Sequence, residues 1–127
     1  MTLGVMEMCM ALALHFEARG EPFRGRVAVA AVIMERVRSH RYPSNVCDVV
    51  FQPYQFSFVQ DGKTPPIKDE DAWRGSQELA VSILSGVVDL PDTGATHFHT
   101  KFVSPSWAAG AKVTARIGNH IFYSGVK

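Results

Sequence analysis

The chain has 127 residues and a formal net charge of +1, with 46% of its residues hydrophobic and 20% charged. That length suits one domain spanning residues 1–127, with a core of its own, and the composition is that of a globular protein rather than a disordered or fibrous one. A charge so near zero argues against nucleic-acid binding as the main task, because holding phosphates calls for a basic surplus.

The first predicted element is a helix leading into His15-Phe16-Glu17. At about 100° per residue, Leu3, Met6, Met10, Ala13, Leu14 and Glu17 fall in one stripe. Glu7, Met8, Ala11 and His15 fall on another side, read here as the wetter one. Glu17 thus closes an apolar stripe in the last turn, with Gly20 placed as a C-cap and Pro22 barring continuation. A carboxylate there leaves water, which raises its pKa unless a cation or several hydrogen bonds keep it ionised. A carboxyl that holds its proton near neutral pH is what general-acid cleavage of a glycosidic bond requires. A purely structural reading instead pairs Glu17 with Arg19 or Arg24. The apolar run Met8–Phe16 is short, contains His15 and has no Lys or Arg before it, so it reads as a core helix rather than a signal peptide or membrane span. The expectation is no membrane insertion, with any export left to a leader since removed or to another route. Cys9 and Cys47 match no zinc spacing and are expected as two buried free thiols, with pairing in an oxidising compartment as the alternative.

A second helix is predicted from Phe23 to Ser39. Its middle, Val27–Met34, is apolar all round and belongs at the centre of the domain. Arg36, Arg38, His40 and Arg41 gather at its C-terminal end, as a solvated helix terminus or a basic binding patch. Tyr42-Pro43 ends the helix, and Ser44 is placed to cap a short helix through Phe51. Phe56 and Phe58 alternate with Ser57, as in an extended segment. Residues 61–68 form a loop, Asp69 an N-cap, and a third long helix runs from Glu70 to Val87 with Trp73, Leu79, Ala80, Ile83 and Leu84 at core spacing.

The last third changes character. Ala95–Thr100 is β-like, with His97 and His99 on one face and Phe98 on the other. Val113–Ile117 and Ile121–Tyr123 flank Gly118-Asn119-His120 and read as a hairpin. Helices over two-thirds of the chain and a small C-terminal antiparallel β region make the class α+β.

Several stretches carry a family resemblance: Glu17-Ala-Arg-Gly-Glu21, Gln55-Phe56-Ser57, Thr96-His97-Phe98, Pro105-Ser106-Trp107 and Gly118-Asn-His120-Ile-Phe-Tyr123. Their order resembles the SleB/CwlJ-type cell wall hydrolases, the spore cortex-lytic family that also occurs in bacteriophage lysins. The resemblance covers nearly the whole chain. It implies a lysozyme-like, peptidoglycan-cleaving domain with Glu17 as catalytic acid, and a substrate cleft lined by Gln55, Phe56 and Ser57. Glu21, His97, Phe98, His99, Trp107 and His120 complete the expected substrate-binding set. It implies peptidoglycan as the partner and action at the wall, in the periplasm or outside the cell, reached through a removed leader or a phage holin. With the histidines assigned to the cleft wall or the core, no cofactor and no metal are expected, nor nucleic acid, and the chain is expected to be a monomer. The family's usual Asn-Arg pair is Glu35-Arg36 here, which leaves any contact made by that Asn without a counterpart.

The expected reaction is cleavage of the β-1,4 bond between N-acetylmuramic acid and N-acetylglucosamine. A single confident carboxylate favours the lytic transglycosylase outcome, with 1,6-anhydromuramic ends. A hydrolytic muramidase needs a second acid, for which Glu21 is nearest in sequence. Two other readings compete: a metal hydrolase using His97, His99 and His120, and a non-catalytic wall-binding module using Phe98, Trp107 and Tyr123.

Overall fold

The computed structural model describes residues 3–127. Four helices come first: α1 (Val5–Ala18), α2 (Phe23–Arg38), α3 (Val46–Val50) and α4 (Glu70–Leu84). A small sheet follows, of β1 (His97–Thr100), β2 (Lys112–Ile117) and β3 (His120–Ser124), with a 3-10 turn at Ser106–Ala108 between β1 and β2. This is the expected α+β arrangement.

Helix α1 packs against α2, α3 and α4 at once. Met10, Ala13 and Leu14 are fully buried, as their stripe requires, but Met6 of the same stripe is 40% exposed, and Ala11 and His15, which the sequence pattern placed on the wetter side, are fully buried. The covering element is α4, whose own stripe of Leu79, Ala80 and Ile83 needs an apolar partner. His15 sits edge-on to Phe16 and Trp73, 5.0 and 5.6 Å between ring centres. Helix α1 ends at Ala18 with Arg19, not Gly20, as its C-cap, and Gly20 follows. Gly20 takes φ +86°, open to glycine and strained for other residues. The Pro22 carbonyl then receives the amides of Gly25 and Arg26 to start α2. The Val27–Ile33 core of α2 is buried throughout.

Other details also depart from expectation. Asn45, not Ser44, caps α3: its side-chain oxygen accepts the Asp48 amide at 2.9 Å, leaving Ser44 outside the helix. Cys9 and Cys47 form a disulfide rather than two free thiols. Helices α1 and α3 lie side by side and bring the two Cα atoms to 5.2 Å, within the reach of a disulfide. Helix α4 stops at Leu84, where the Gly86 amide turns back to the Ile83 carbonyl, and Val87 is left exposed.

Residues 52–58 are a run of turns rather than an extended strand. Tyr54 there takes φ +65°. The turns let Phe56 and Phe58 both enter the core while Gln55 and Ser57 stay exposed.

The sheet is antiparallel in the order β1-β3-β2. The β2–β3 turn needs glycine at Gly118: φ is +57°, and a Cβ would lie 2.6 Å from Glu21 Oε1 and 2.9 Å from Pro22 Cδ. Residues paired across an antiparallel ladder share a face. The pairs Phe98–Phe122 and Thr100–His120 therefore lie on one face, and His97–Tyr123 and His99–Ile121 on the other. Phe122 carries the first face into a cluster with Ala18, Ala28, Val29 and Val32. No helix among the described residues is long and apolar enough to cross a membrane.

Candidate active site

Glu17 occupies the last turn of α1, partly buried between the exposed Arg19 and the core. Burial pushes its carboxyl up to about 7, and the charge of Arg36 pulls the other way without cancelling this. Neither Arg19 nor Arg24 pairs with it; both side chains lie exposed. The site therefore presents a carboxyl that is substantially protonated at neutral pH and is not locked into an ion pair with a described residue.

Arg36 is the residue that the sequence pattern misplaced. Only 4% of it is exposed, whereas Arg38, His40 and Arg41 are exposed as a helix end should be. Its Nε donates to the Thr96 carbonyl at 2.7 Å and its Nη1 to Gln55 Oε1 at 3.3 Å. The guanidinium lies over the rings of Tyr42 and Phe56, 5.0 and 5.3 Å from their centres. A signal for this was present. Arg36 stands four residues after Val32 and seven after Val29, on the buried stripe of α2.

Gln55 and Ser57 help line a concavity of about 660 Å³ together with Tyr54, Phe51 and Gln60. Phe56 lines it as well, although only 3% of the residue is exposed and most of its ring enters the core. The exposed ring of Tyr54 beside these polar groups was not anticipated. Its left-handed backbone is the kind of local strain that gathers at functional loops.

On β1, His97 and His99 share a face with Trp107, whose ring is 5.0 and 5.6 Å from theirs. Burial, with Arg36 and Arg41 nearby, lowers His97 to about 4, so its ring is neutral at physiological pH. Its Nδ1 lies 2.9 Å from the Thr96 hydroxyl. His99 Nδ1 lies 2.7 Å from the Thr100 carbonyl, which can only accept, so that nitrogen carries the proton. His99 Nε2 lies 2.7 Å from the Tyr123 hydroxyl.

Phe98 and His120 belong to the opposite, inward face, packed on each other at 5.1 Å and against Phe122. The three histidines thus do not converge, and no set of three or more metal-binding side chains exists among the described residues. Glu21 is also committed elsewhere. Its two oxygens accept the Asn119 backbone amide at 2.8 Å and the Asn119 side-chain amide at 3.1 Å, and His120 Nδ1 lies 3.6 Å away. Contacts therefore draw Gln55, Phe56, His97 and Trp107 toward Arg36 and Tyr42, directly or through one neighbour, the charge of Arg36 reaches Glu17, and Glu21, Phe98 and His120 pack within the framework.

Residues 20–123 match the model of the Cell Wall Hydrolase family. The chain is 41% identical over 114 residues to the spore cortex-lytic enzyme of Halalkalibacterium halodurans and 35% identical over 113 residues to that of Bacillus subtilis. Each match covers 89% of this chain, which spans only 33% and 35% of the length of those relatives. Among solved structures, the catalytic domain of the germination-specific lytic transglycosylase SleB from Bacillus anthracis superposes with a TM-score of 0.73 at 31% identity, covering 96% of this chain and 97% of that one. The catalytic domain of the Bacillus cereus SleB protein gives 0.71 at 31% identity, with 97% and 93% covered.

Proposed function

This chain belongs to the cell wall hydrolase family, and we propose that residues 1–127 act as one catalytic domain that cuts peptidoglycan strands between N-acetylmuramic acid and N-acetylglucosamine, as a lytic transglycosylase. The observation that carries this reading is the Glu17 carboxyl, pushed up to about 7 at the end of a buried helix. A group with that affinity keeps a large protonated fraction at neutral pH and can deliver its proton to the glycosidic oxygen. The C1–O bond breaks, the leaving sugar keeps the proton, and an oxocarbenium-like centre remains. The C6 hydroxyl of the same muramic residue is already held nearby and competes with water at high effective concentration. It bonds to C1 and gives its proton back to Glu17. The acid is regenerated, and the product is a 1,6-anhydro end.

The engagement of Glu21 with Asn119 supports a single-acid mechanism over a two-carboxylate muramidase. Gln55 and Ser57, with Tyr54 as an aromatic surface, suit an N-acetylated sugar: hydrogen bonds at its edges and an apolar face against a ring. His99 and Trp107 offer a second such edge. The domain works at the wall as a monomer, on peptidoglycan, without cofactor.

Digestion of purified peptidoglycan, read by mass spectrometry of the released muropeptides, tests this. Anhydromuramic ends, one water lighter than reducing ends, are expected with and without EDTA, and none from Glu17→Gln. Mainly reducing muramic ends would overturn the transglycosylase reading. Loss of lysis on chelation, restored by zinc, would overturn the metal-free one.

A further inference from the structure

Arg36 is costly where it stands. A guanidinium with 4% exposure gives up most of its hydration, and burial works against its charge while Tyr42 and Glu17 favour it. Its two hydrogen bonds use two of its five donors. No Arg36 nitrogen is sealed without a partner among the described residues, so the remaining N–H groups keep some access to the outside. Plain helix packing at this position would be served by an aliphatic side chain, as at Val29 and Val32.

What Arg36 touches explains its presence better. The Thr96 carbonyl that receives Nε belongs to the segment leading into β1, and Thr96 is itself held by its amide to the Tyr123 carbonyl at 3.0 Å. Nη1 meets the amide oxygen of Gln55, on the loop beside the concavity. The rings of Tyr42 and Phe56 fix the guanidinium plane. One side chain of α2 thereby ties the 52–58 loop to the entry of β1, and its charge reaches Glu17 in the last turn of α1.

We propose that Arg36 is the positioning residue of this site: anchored on Thr96 and Gln55, its guanidinium holds a fixed positive charge beside the place where the Glu17 carboxylate forms, and orients the Gln55 amide toward the substrate. The inference rests on the proposed role of Glu17 as acid. Each time Glu17 gives up its proton, a partly buried carboxylate appears, and a charge already in place stabilises it without rearrangement. Too close an ion pair would strip the acid of its proton; Arg36 leaves Glu17 at about 7, lowering it only partly. The charged and titratable groups around the two are Tyr42 after α2, His97 on β1, which is neutral above about 4, and Arg41, whose charge also reaches His97.

The test compares the wild type with Arg36→Gln and Arg36→Lys. Glutamine can still donate to the Thr96 carbonyl but carries no charge; lysine restores the charge without the fork. Two quantities are read: the titration of Glu17 by carbon NMR of labelled glutamate, and kcat and KM against pH. In Arg36→Gln the Glu17 midpoint rises above its wild-type position, the alkaline limb of kcat/KM rises with it, and kcat falls by about 10²-fold, the loss typical of a misplaced catalytic group. Arg36→Lys brings the midpoint back toward the wild-type value. An unmoved midpoint in folded Arg36→Gln, or no return with lysine, overturns the proposal. Should Arg36→Gln not fold, the Arg36 Nε–H resonance decides: it shifts through the Glu17 titration in the wild type and stays flat in Glu17→Gln, and a flat response in both overturns the proposal. A Glu17 midpoint that moves while the activity limb does not would instead sink the assignment of Glu17 as the acid and leave the electrostatic coupling standing.

Discussion

Glu21 and Asn119, 98 positions apart, are joined by two hydrogen bonds that fix the α1–α2 connection to the tip of the β2–β3 hairpin. The Glu21 side chain is 8% exposed and lies 3.6 Å from the buried His120. The hairpin turn closes on it so tightly that only glycine fits at Gly118. Hydrogen bonds to a charged group are worth roughly 1.5–3 kcal/mol each, and those left in contact with water less. Glu21→Ala is therefore expected to lower the free energy of unfolding by about 2–3 kcal/mol, measured by urea denaturation. The product made by the surviving folded protein should be unchanged. A switch from anhydro to other ends, or loss of activity with stability intact, would return Glu21 to the chemistry.

Glu17 should behave in the opposite way. Its folded-state pKa of about 7 lies above the unfolded value of about 4.5, so between these two pH values the folded protein holds more protons than the unfolded chain. Stability is then lost as pH rises through that window and stays lost above it. Glu17→Gln removes this cost. The variant should lose activity by at least about 10²–10⁴-fold, the usual weight of general acid catalysis. It should also melt higher than the wild type at pH 8, with the gap closing at pH 5. An equal or lower melting temperature at pH 8 would show that the carboxylate is held by contacts the folded state needs.

The helices and hairpin were legible because their signals are local. The apolar stripe of α1, the all-apolar middle of α2, Asp69 as an N-cap and Gly118-Asn119 between two β-prone runs each act within a few residues. So does the alternation that sends His97 and His99 one way and Phe98 the other. What failed was whatever depends on which element covers which. His15 reads as a wet position until α4 is laid over it, and Arg36 as a solvated helix end until Thr96 and Gln55 arrive from 60 and 19 residues away. Glu21, Phe98 and His120 are polar or aromatic residues within family motifs, yet their environment in the fold is that of framework. A motif marks both kinds of position alike.

Three histidines set the response to acid. Burial is the leading cause that lowers His15, His97 and His120, and for His97 the result is about 4. In the unfolded chain these rings take up protons as pH falls through about 6.5, while the folded protein resists. The unfolded state then binds more protons, so stability present above about 6.5 is lost as pH drops toward the folded values. This slope is opposite to that of Glu17 and is seen cleanly in Glu17→Gln. There the urea midpoint should fall between pH 7 and pH 5, and less so when His15 is also replaced by Leu, since neither His15 nitrogen has a hydrogen-bond partner to lose. A midpoint independent of pH in Glu17→Gln would contradict burial as the dominant influence on these rings.

The disulfide gives the last prediction. Cys9 lies two turns before Glu17 on α1, and Cys47 lies on α3, just before the loop that carries Gln55 and Ser57. The link spans 38 positions, and closing a loop of that size restricts the unfolded chain by about 3–4 kcal/mol in the chain-entropy account. For a domain of this length that is worth roughly 10–20 °C in melting temperature. Most of the loss should appear on reduction alone, because α1 and α3 remain packed through Ala13, Val46 and Val49 and the folded state needs no rearrangement to lose the bond. A reducing agent should therefore lower the melting temperature of the wild type by that amount and leave a Cys9→Ser, Cys47→Ser double variant unmoved at the lower value. Activity at room temperature should persist in both, since neither sulfur contacts Glu17, Arg36 or Gln55. The alternative outcome is equally readable: two reactive thiols in the native oxidised protein, with a melting temperature indifferent to reductant, would mean that the helices pack without the bond.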